Sequence, residues 1–146
     1  MKSLEKQNKK LFGSATLTSH NLITVENLKL YLIPYSNNPG SQKKKAENDP
    51  IPKIKNLDLL ITHAPPLGIL DTAQTSKHTG DLSILSFVQQ NQPKIHLFGH
   101  IHQSYGTFQQ SGTLFINCSS FKSSSSLNPP IIIDIHPNQK EVYIKM

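Results

Sequence analysis

The pattern of apolar and polar positions divides the chain into short strands with one helix among them. Two apolar runs between Leu22 and Pro34 flank Glu26-Asn27, and this pattern predicts a β-hairpin with a two-residue turn. Leu57 to Thr62 forms the next apolar run, whose continuity is typical of a strand buried on both faces. The polar, proline-containing segment from Ser36 to Pro52 is expected to be a long exposed loop.

A helix and a further strand follow in the middle of the chain. Asp81 to Gln90 carries apolar residues at helical spacing, and Ile95 to Phe98 is another short apolar run. We expect Thr79 to cap the helix, Asp81 to favour the positive end of its dipole, and Pro93 to end it. The residues predicted to face the core are Leu82, Ile84, Leu85, Phe87 and Val88. Strand, helix and strand together predict a βαβ unit.

Two more hairpins are predicted in the C-terminal part of the chain. Tyr105 to Cys118 alternates in polarity around Ser111-Gly112, which favours a turn. Ile131 to Ile144 has the same character around Pro137-Asn138. The serine-rich segment from Ser123 to Pro130 between them is interpreted as a loop.

Composition narrows the class of protein. A length of 146 residues suits one domain with its own core. No apolar stretch approaches the ~20 residues of a membrane span, and the first ten residues lack the apolar segment of a secretory signal, so we expect no membrane partner. The single cysteine, Cys118, excludes an internal disulfide and fits a reducing compartment, which favours a cytoplasmic location.

The chain is basic but lacks arginine. Its net charge is +6, and all 15 basic residues are lysine. Bidentate contacts to phosphate and guanine favour the guanidinium group, so the composition argues against a nucleic-acid partner. The densest cluster, Lys43 to Lys45, lies among polar residues and is interpreted as part of a solvated loop.

Histidines follow two of the predicted strands. His100 and His102 come directly after Ile95–Phe98 and Gly99, and His63 comes directly after the Leu57–Thr62 run. In extended backbone, residues two apart point to the same side, and Gly99 lacks the Cβ that would crowd the approach. The carboxyl ends of neighbouring parallel strands meet at one edge, so the three histidines predict one metal site.

Five short motifs carry a resemblance to a known family. They are Thr62 to Gly68, Phe98 to His102, Tyr105-Gly106, Ile116-Asn117 and Asn128 to Ile132. In their order and spacing they resemble the C-terminal half of the calcineurin-like metallophosphoesterases, in the metallophosphoesterase-domain-containing branch. The resemblance implies an α/β fold that is a partial α/β/β/α sandwich, with a mixed sheet, a βαβ unit and hairpins.

The resemblance also implies a chemistry. It is that of a metal-dependent phosphoric ester hydrolase, acting on phosphomonoesters or phosphodiesters, nucleotides among them. The family holds two divalent metal ions, which could be manganese, iron or zinc. His63 and His100 resemble the two histidine ligands of one ion, and His102 resembles a ligand of the other. Water or hydroxide between two such ions attacks phosphorus in line.

The resemblance predicts that the N-terminal half of the family domain is absent from this chain. That half carries the Asp-x-His, Gly-Asp and Gly-Asn-His motifs, which supply a bridging aspartate, an asparagine ligand and a general-acid histidine. We expect Asp58 to be remote from His63, Asp71 to lie in a solvated loop, and Asp81 to mark a helix start. Three neutral imidazoles supply no negative charge to balance two divalent ions. We therefore expect at most one metal ion in this chain by itself.

A complementing N-terminal half is therefore an expected partner, because a half-domain exposes a sheet edge that favours association. Two alternatives stay open. The first is a catalytically inactive half-domain that acts as a metal-binding or protein-interaction module. The second is lysine-mediated binding of polyanions, which predicts a steep dependence on salt. The remaining histidines, interpreted as structural residues, are His20, His78, His96 and His136.

Overall fold

The computed structural model describes residues 22–33, 51–136 and 141–145. These residues form ten strands and one α-helix, α1 (Leu82–Asn91). The strands are β1 (Leu22–Val25), β2 (Leu28–Ile33), β3 (Leu59–Thr62), β4 (Ile95–Phe98), β5 (Gly106–Gln110), β6 (Thr113–Asn117), β7 (Phe121–Ser123), β8 (Ser126–Leu127), β9 (Ile132–His136) and β10 (Glu141–Lys145). Most of the predicted loop from Ser36 to Pro52, the Pro137-Asn138 turn and His20 lie outside the described residues.

The main sheet contains six strands in the order β1-β2-β3-β4-β6-β5. The four central strands run parallel, and β1 and β5 pair antiparallel with their neighbours at the two edges. Strand β3, helix α1 and strand β4 form the predicted βαβ unit, and the predicted hairpins β1–β2, β5–β6 and β9–β10 are present. The predicted α/β class with a mixed sheet is confirmed.

Two apolar clusters cover the two faces of the main sheet. One face packs against α1, through Leu60, Phe98 and Phe115 on the sheet and Ile84, Phe87 and Val88 on the helix. The opposite face packs against β9, through Leu59, Ile95 and Ile116 on the sheet and Ile131, Ile133 and Ile135 on or beside β9. The order helix, mixed sheet, second sheet agrees with a partial α/β/β/α sandwich.

The first hairpin has the turn that its sequence predicts. Glu26 and Asn27 both have positive φ, at 48° and 71°. Two left-handed residues in succession are typical of the type I′ turn, whose twist matches that of the flanking strands. Asparagine tolerates this conformation better than most residues, which explains its place at the turn.

The start of α1 differs from the prediction. Asp81, not Thr79, is the N-cap, because its side chain accepts hydrogen bonds from the backbone N–H groups of Ser83 and Ile84. The Thr79 hydroxyl instead donates to the backbone oxygen of Asp71. The predicted core stripe is also shifted, since Leu82, at the first turn of the helix, is 63% exposed. Pro93 follows the C-cap residue as predicted.

Two boundaries also need correction. Strand β3 begins at Leu59, two residues later than predicted, and the side chain of Asp58 just before it accepts a hydrogen bond from Lys29 N. The serine-rich segment is not a plain loop, since β7 and β8 pair as a short hairpin and the hydroxyls of Ser123 and Ser126 are hydrogen-bonded at 2.8 Å. Among the described helices, none is long and apolar enough to cross a membrane.

Candidate metal site at the carboxyl edge of the sheet

The sheet places His63 beside His100. Strands β3 and β4 are parallel neighbours, and the backbone N–H of Gly99 donates to the backbone oxygen of His63 just beyond their last ladder pair. The two histidines therefore leave the same edge of the sheet side by side. Nε2 of His63 lies 3.0 Å from Nδ1 of His100, and the ring centroids are 4.9 Å apart. The structure thus brings together two of the three predicted ligands.

The backbone around His100 is not extended as predicted. His100 has a φ of 70°, in the left-handed region, and the following Ile101 N–H donates to Gly99 O at 2.8 Å. Within the protein a Cβ at Gly99 would meet only Ser119 Oγ at 3.5 Å, an ordinary contact, so the predicted role of Gly99 in the approach to the imidazoles stays a prediction. The unusual conformation belongs to His100 itself, and such conformations cluster at functional sites.

The His63–His100 pair has the chemistry of two metal ligands. Burial lowers the pKa of His100 below its usual value, and the nearby His63 and His102 lower it further when they carry charge. A neutral ring keeps a lone pair for an ion. Two nitrogens that each lie ~2.1 Å from one ion, at ~90° to ~110°, are ~3.0 to ~3.4 Å apart, so the observed separation fits two ligands of one cation.

His102 is near enough to His100 to lower its pKa, but its ring contacts a different residue. It begins a 3₁₀ helix, His102–Ser104, and its ring packs on Phe121 with the centroids 5.0 Å apart. Within the described ranges, no group of three or more His, Cys, Asp or Glu residues is placed to hold a metal ion. The assignment of His102 to a second ion stays a prediction.

A buried hydrogen-bonded pair lies behind His63. The Thr62 hydroxyl donates to the backbone oxygen of Ala64 at 2.6 Å, so its oxygen is left to accept from Nε2 of His96 at 2.9 Å. His96 is fully buried, as its structural interpretation predicts, and burial lowers its pKa to about 3. Its Nδ1 atom has no hydrogen-bond partner in the part of the chain that the structure describes.

Asn117 joins the segments that surround the site. Its Nδ2 donates to the backbone oxygens of Leu70 and Ile101, and its Oδ1 accepts from the N–H and hydroxyl of Ser119. The side chain is fully buried at the end of β6. The sequence marks this residue only as part of the Ile116-Asn117 motif, because a single asparagine after a strand does not indicate its partners.

Asp71 is not solvated as predicted. Its side chain is buried, and its carboxylate accepts from the N–H groups of Gly68 and Gly80 and, at 2.6 Å, from Nδ1 of His78. Burial alone would raise the pKa of Asp71, but the hydrogen bond from His78 and the two N–H groups together hold it below its usual value. The solvated-loop prediction fails because these donors come from the same loop, at three, seven and nine residues from Asp71, and no periodic pattern marks their spacing.

Asp58 and Asp81 have the structural roles predicted for them. Asp58 lies at the opposite end of β3 from His63 and pairs with Lys94 at 2.6 Å. Gly80-Asp81 matches the dipeptide Gly-Asp, but Asp81 caps α1. Asp134, two residues before His136, matches Asp-x-His but is exposed on β9.

The fold agrees with a solved structure. A crystal structure superposes on 96% of this chain with a TM-score of 0.58, over 57% of its own length and at 12% sequence identity. At that identity the likeness shows the fold alone. No protein-family model matches the chain.

Sequence comparison finds named relatives. The human and the mouse proteins called metallophosphoesterase domain-containing protein 1 are each 35% identical over 124 residues, which is 77% of this chain and 37% of theirs. UPF0046 protein T07D4.2 of Caenorhabditis elegans is 41% identical over 93 residues, 61% of this chain and 24% of its own. This chain thus spans less than half the length of these relatives. By sequence it is related to the metallophosphoesterase domain-containing and UPF0046 proteins.

Proposed function

We propose that this chain forms the histidine-bearing part of a metal-dependent phosphoric ester hydrolase. Its substrates would be phosphomonoesters or phosphodiesters, nucleotides among them. The observation that carries the proposal is the 3.0 Å separation between His63 and His100 at the carboxyl edge of the sheet. The relatives named for a metallophosphoesterase domain support the same chemistry.

His63 and His100 would hold one divalent ion, and manganese, iron and zinc all accept imidazole ligands. When bound, such an ion polarises a phosphoryl oxygen and lowers the pKa of a coordinated water. The chain contributes the rigid placement of the two rings, since each follows directly from a strand of the same sheet. Charge-neutral rings add no negative charge to the site, so a complete centre requires carboxylates from elsewhere, and a complementing N-terminal half is the proposed source.

A second candidate function is supported by one observation. The described residues supply no third His, Cys, Asp or Glu to the His63–His100 pair. A chain with two ligands suits a metal-binding or protein-interaction module without turnover. This candidate and the hydrolase predict the same metal binding but differ in catalysis.

The first prediction concerns metal binding by the chain. We expect Mn²⁺ to bind the purified protein, and His63→Ala and His100→Ala each to weaken binding by at least ~10-fold, because each removes a ligand. Calorimetric titration with Mn²⁺ measures this. His78→Asn is the matched control, since His78 lies outside the pair and its replacement should leave the affinity unchanged. Equal weakening by all three variants would contradict the proposed site.

Hydrolysis of phenyl and 4-nitrophenyl phosphodiesters then separates the two candidates. The chain is assayed with Mn²⁺ alone and after co-expression with the N-terminal region of the human relative. Hydrolysis that His100→Ala abolishes supports the hydrolase, and its appearance only after co-expression supports the complementing half. Metal binding without hydrolysis in either preparation would reject the hydrolase in favour of the binding module.

A further inference from the structure

Strand β5 (Gly106–Gln110) forms one edge of the main sheet. It pairs with β6 at five consecutive positions without a bulge, and among the described residues no strand lies on its outer side. Proteins usually protect such an edge with lysine, proline or a bulge. The sequence of β5, Gly-Thr-Phe-Gln-Gln, has none of these, although the chain carries 15 lysines. In the described part of the chain, the outer N–H and C=O groups of β5 are therefore available to a further strand.

A cavity of about 170 Å³ lies between α1 and the β5–β6 hairpin. The buried side chains of Ile69, Val88 and Phe115 line its apolar part. Its exposed rim consists of uncharged polar residues, namely Gln89, Gln92, Gln110 and Ser111. Because an apolar cavity of about 150 Å³ is large enough to bind benzene, this cavity has room for one aromatic or large aliphatic side chain.

The edge strand and the cavity adjoin each other. Directly opposed residues of an antiparallel pair have their side chains on the same face. Phe108 is opposite Phe115 and Gln110 is opposite Thr113, and Phe115 packs in the cluster that faces α1. Gln110 lines the cavity, and Phe108, two residues away on the same face, is 45% exposed. A strand added to β5 would place every second side chain on this face, with the one opposite Gln110 within reach of the cavity.

We propose that β5 is a docking site for an extended, uncharged segment of a partner protein. The segment adds a strand to the main sheet and inserts one aromatic or large aliphatic side chain into the cavity. Backbone hydrogen bonds to β5 supply affinity, and the cavity supplies selectivity. An uncharged segment is favoured because a charged side chain between β5 and the uncharged rim would lose water without gaining an opposite charge. This inference depends neither on metal binding nor on hydrolysis.

The size of the site favours a short segment over a second copy of this chain. The five residues of β5 span ~17 Å at ~3.4 Å per residue, the length of one short peptide strand. A stable interface between two proteins involves about 20 to 30 residues on each side. Strand β5 and the residues that line the cavity fall short of that number.

The experiment uses a synthetic nonapeptide, blocked at both ends, in which threonine and valine alternate around a central phenylalanine. We expect saturable binding to the full chain in a calorimetric titration. Replacing the phenylalanine with alanine should weaken binding by ~10-fold or more, the loss expected when a large apolar side chain is no longer buried. Methylating every second backbone nitrogen should abolish binding in one of the two possible frames and have little effect in the other, because only one edge of the peptide faces β5.

Phe108→Lys is the matched variant of the protein, because Phe108 is exposed and lysine is a residue that protects edge strands. We expect it to weaken peptide binding by at least ~10-fold with an unchanged melting temperature. Leu22→Lys is the control, since Leu22 lies on the other edge strand, β1, and is exposed to a similar degree, 47%. It should bind the peptide as the unmodified chain does.

Three results would overturn the proposal. The first is that the unmodified chain does not bind the phenylalanine peptide. The second is that the phenylalanine and alanine peptides bind equally, or that Phe108→Lys and Leu22→Lys have equal effects. The third is dimerisation of the unmodified chain in sedimentation that Phe108→Lys abolishes, which would make a second copy the occupant of the edge.

Discussion

Three histidines of this chain differ in chemistry because their surroundings differ. His96 is fully buried among the rings of Phe98 and Phe115, with one polar partner in Thr62. His100 is only partly covered and faces another imidazole. His78 is largely exposed but is held by a buried carboxylate. At the scale of the residue, the role of each imidazole follows from what its two nitrogens contact.

The buried histidine predicts a dependence of stability on pH. The folded pKa of His96 is about 3, below the ordinary value of 6.5, so between these values the unfolded state binds the extra proton. Stability is therefore highest above pH 6.5 and falls as the pH decreases, by about 1.4 kcal/mol per pH unit for one proton. We expect urea unfolding at pH 7, 6, 5 and 4.5 to show this slope.

The matched variant is His96→Gln, whose amide N–H can still donate to Thr62 while no titrating nitrogen remains. We expect the slope of its unfolding free energy against pH, over the same range, to correspond to the uptake of one proton fewer. Asp71 contributes at lower pH, because its lowered pKa stabilises the fold above 3.8 and this contribution is lost as the pH falls further. An unchanged slope in His96→Gln would show that another group carries the dependence.

The sequence predicts the pairing of His63 with His100 because both follow strands that parallel pairing must align. It does not predict the role of Asp71, whose partners are three, seven and nine residues away in a loop without periodicity. The left-handed backbone of His100 is equally hidden, since histidine rarely adopts it and no turn motif marks it. The ends of strands can be predicted from a sequence, but the contacts made by the loops around a site cannot.

At the scale of the element, the loop between β3 and α1 is held against the start of the helix. The N–H of Leu67 donates to Asp81 O, and the N–H of Asp81 donates to Pro65 O. A Cβ at Gly80 would lie 2.4 Å from Pro66 O, closer than any real contact allows. Glycine is required here because two backbone segments touch.

We therefore expect Gly80→Ala to destabilise the protein by about 1 to 3 kcal/mol, because it must separate these segments. Gly99→Ala is the control, since the added methyl group meets only Ser119 Oγ at 3.5 Å. Thermal and urea unfolding of both variants measure the difference. Similar losses of stability in the two variants would contradict this explanation of the loop.

The elements themselves are predicted well where local signals are strong. Strand β4 has the predicted bounds, and the β1–β2 turn lies at the predicted Glu26-Asn27. The helix boundary is less exact, because Thr79 and Asp81 are both acceptable caps and tertiary contacts to Asp71 decide between them. Leu82 has helical spacing with Leu85, yet it is exposed at the first turn of the helix.

At the scale of the whole molecule, the second sheet is much smaller than the main sheet. In the described residues it consists of β9 and β10 alone. Ile131, Ile133 and Ile135 face the main sheet, and Ile132 on the opposite face is 58% exposed. A two-stranded sheet is only marginally stable by itself, and the exposed Ile132 beside Asp134 favours association at this face.

We expect Ile132→Lys to reduce self-association of the purified chain. Sedimentation over a range of protein concentrations measures this as a lower average mass. Leu82→Lys is the control, because Leu82 is exposed to a similar degree, 63%, on the helix side of the main sheet. A larger effect of Leu82→Lys would place the associating surface on the helix rather than on the second sheet.

Strand β3 has a lysine-paired aspartate before one end and a histidine after the other. Asp58 accepts from Lys29 N and pairs with Lys94, which ties β2, β3 and the start of β4 together, while His63 lies beyond the far end. The contacts that hold β3 to its neighbours and the candidate metal ligand His63 thus lie at opposite ends of one strand. Substitutions in the loops at the carboxyl edge should therefore leave the tie at Asp58, and with it the pairing of β2, β3 and β4, intact.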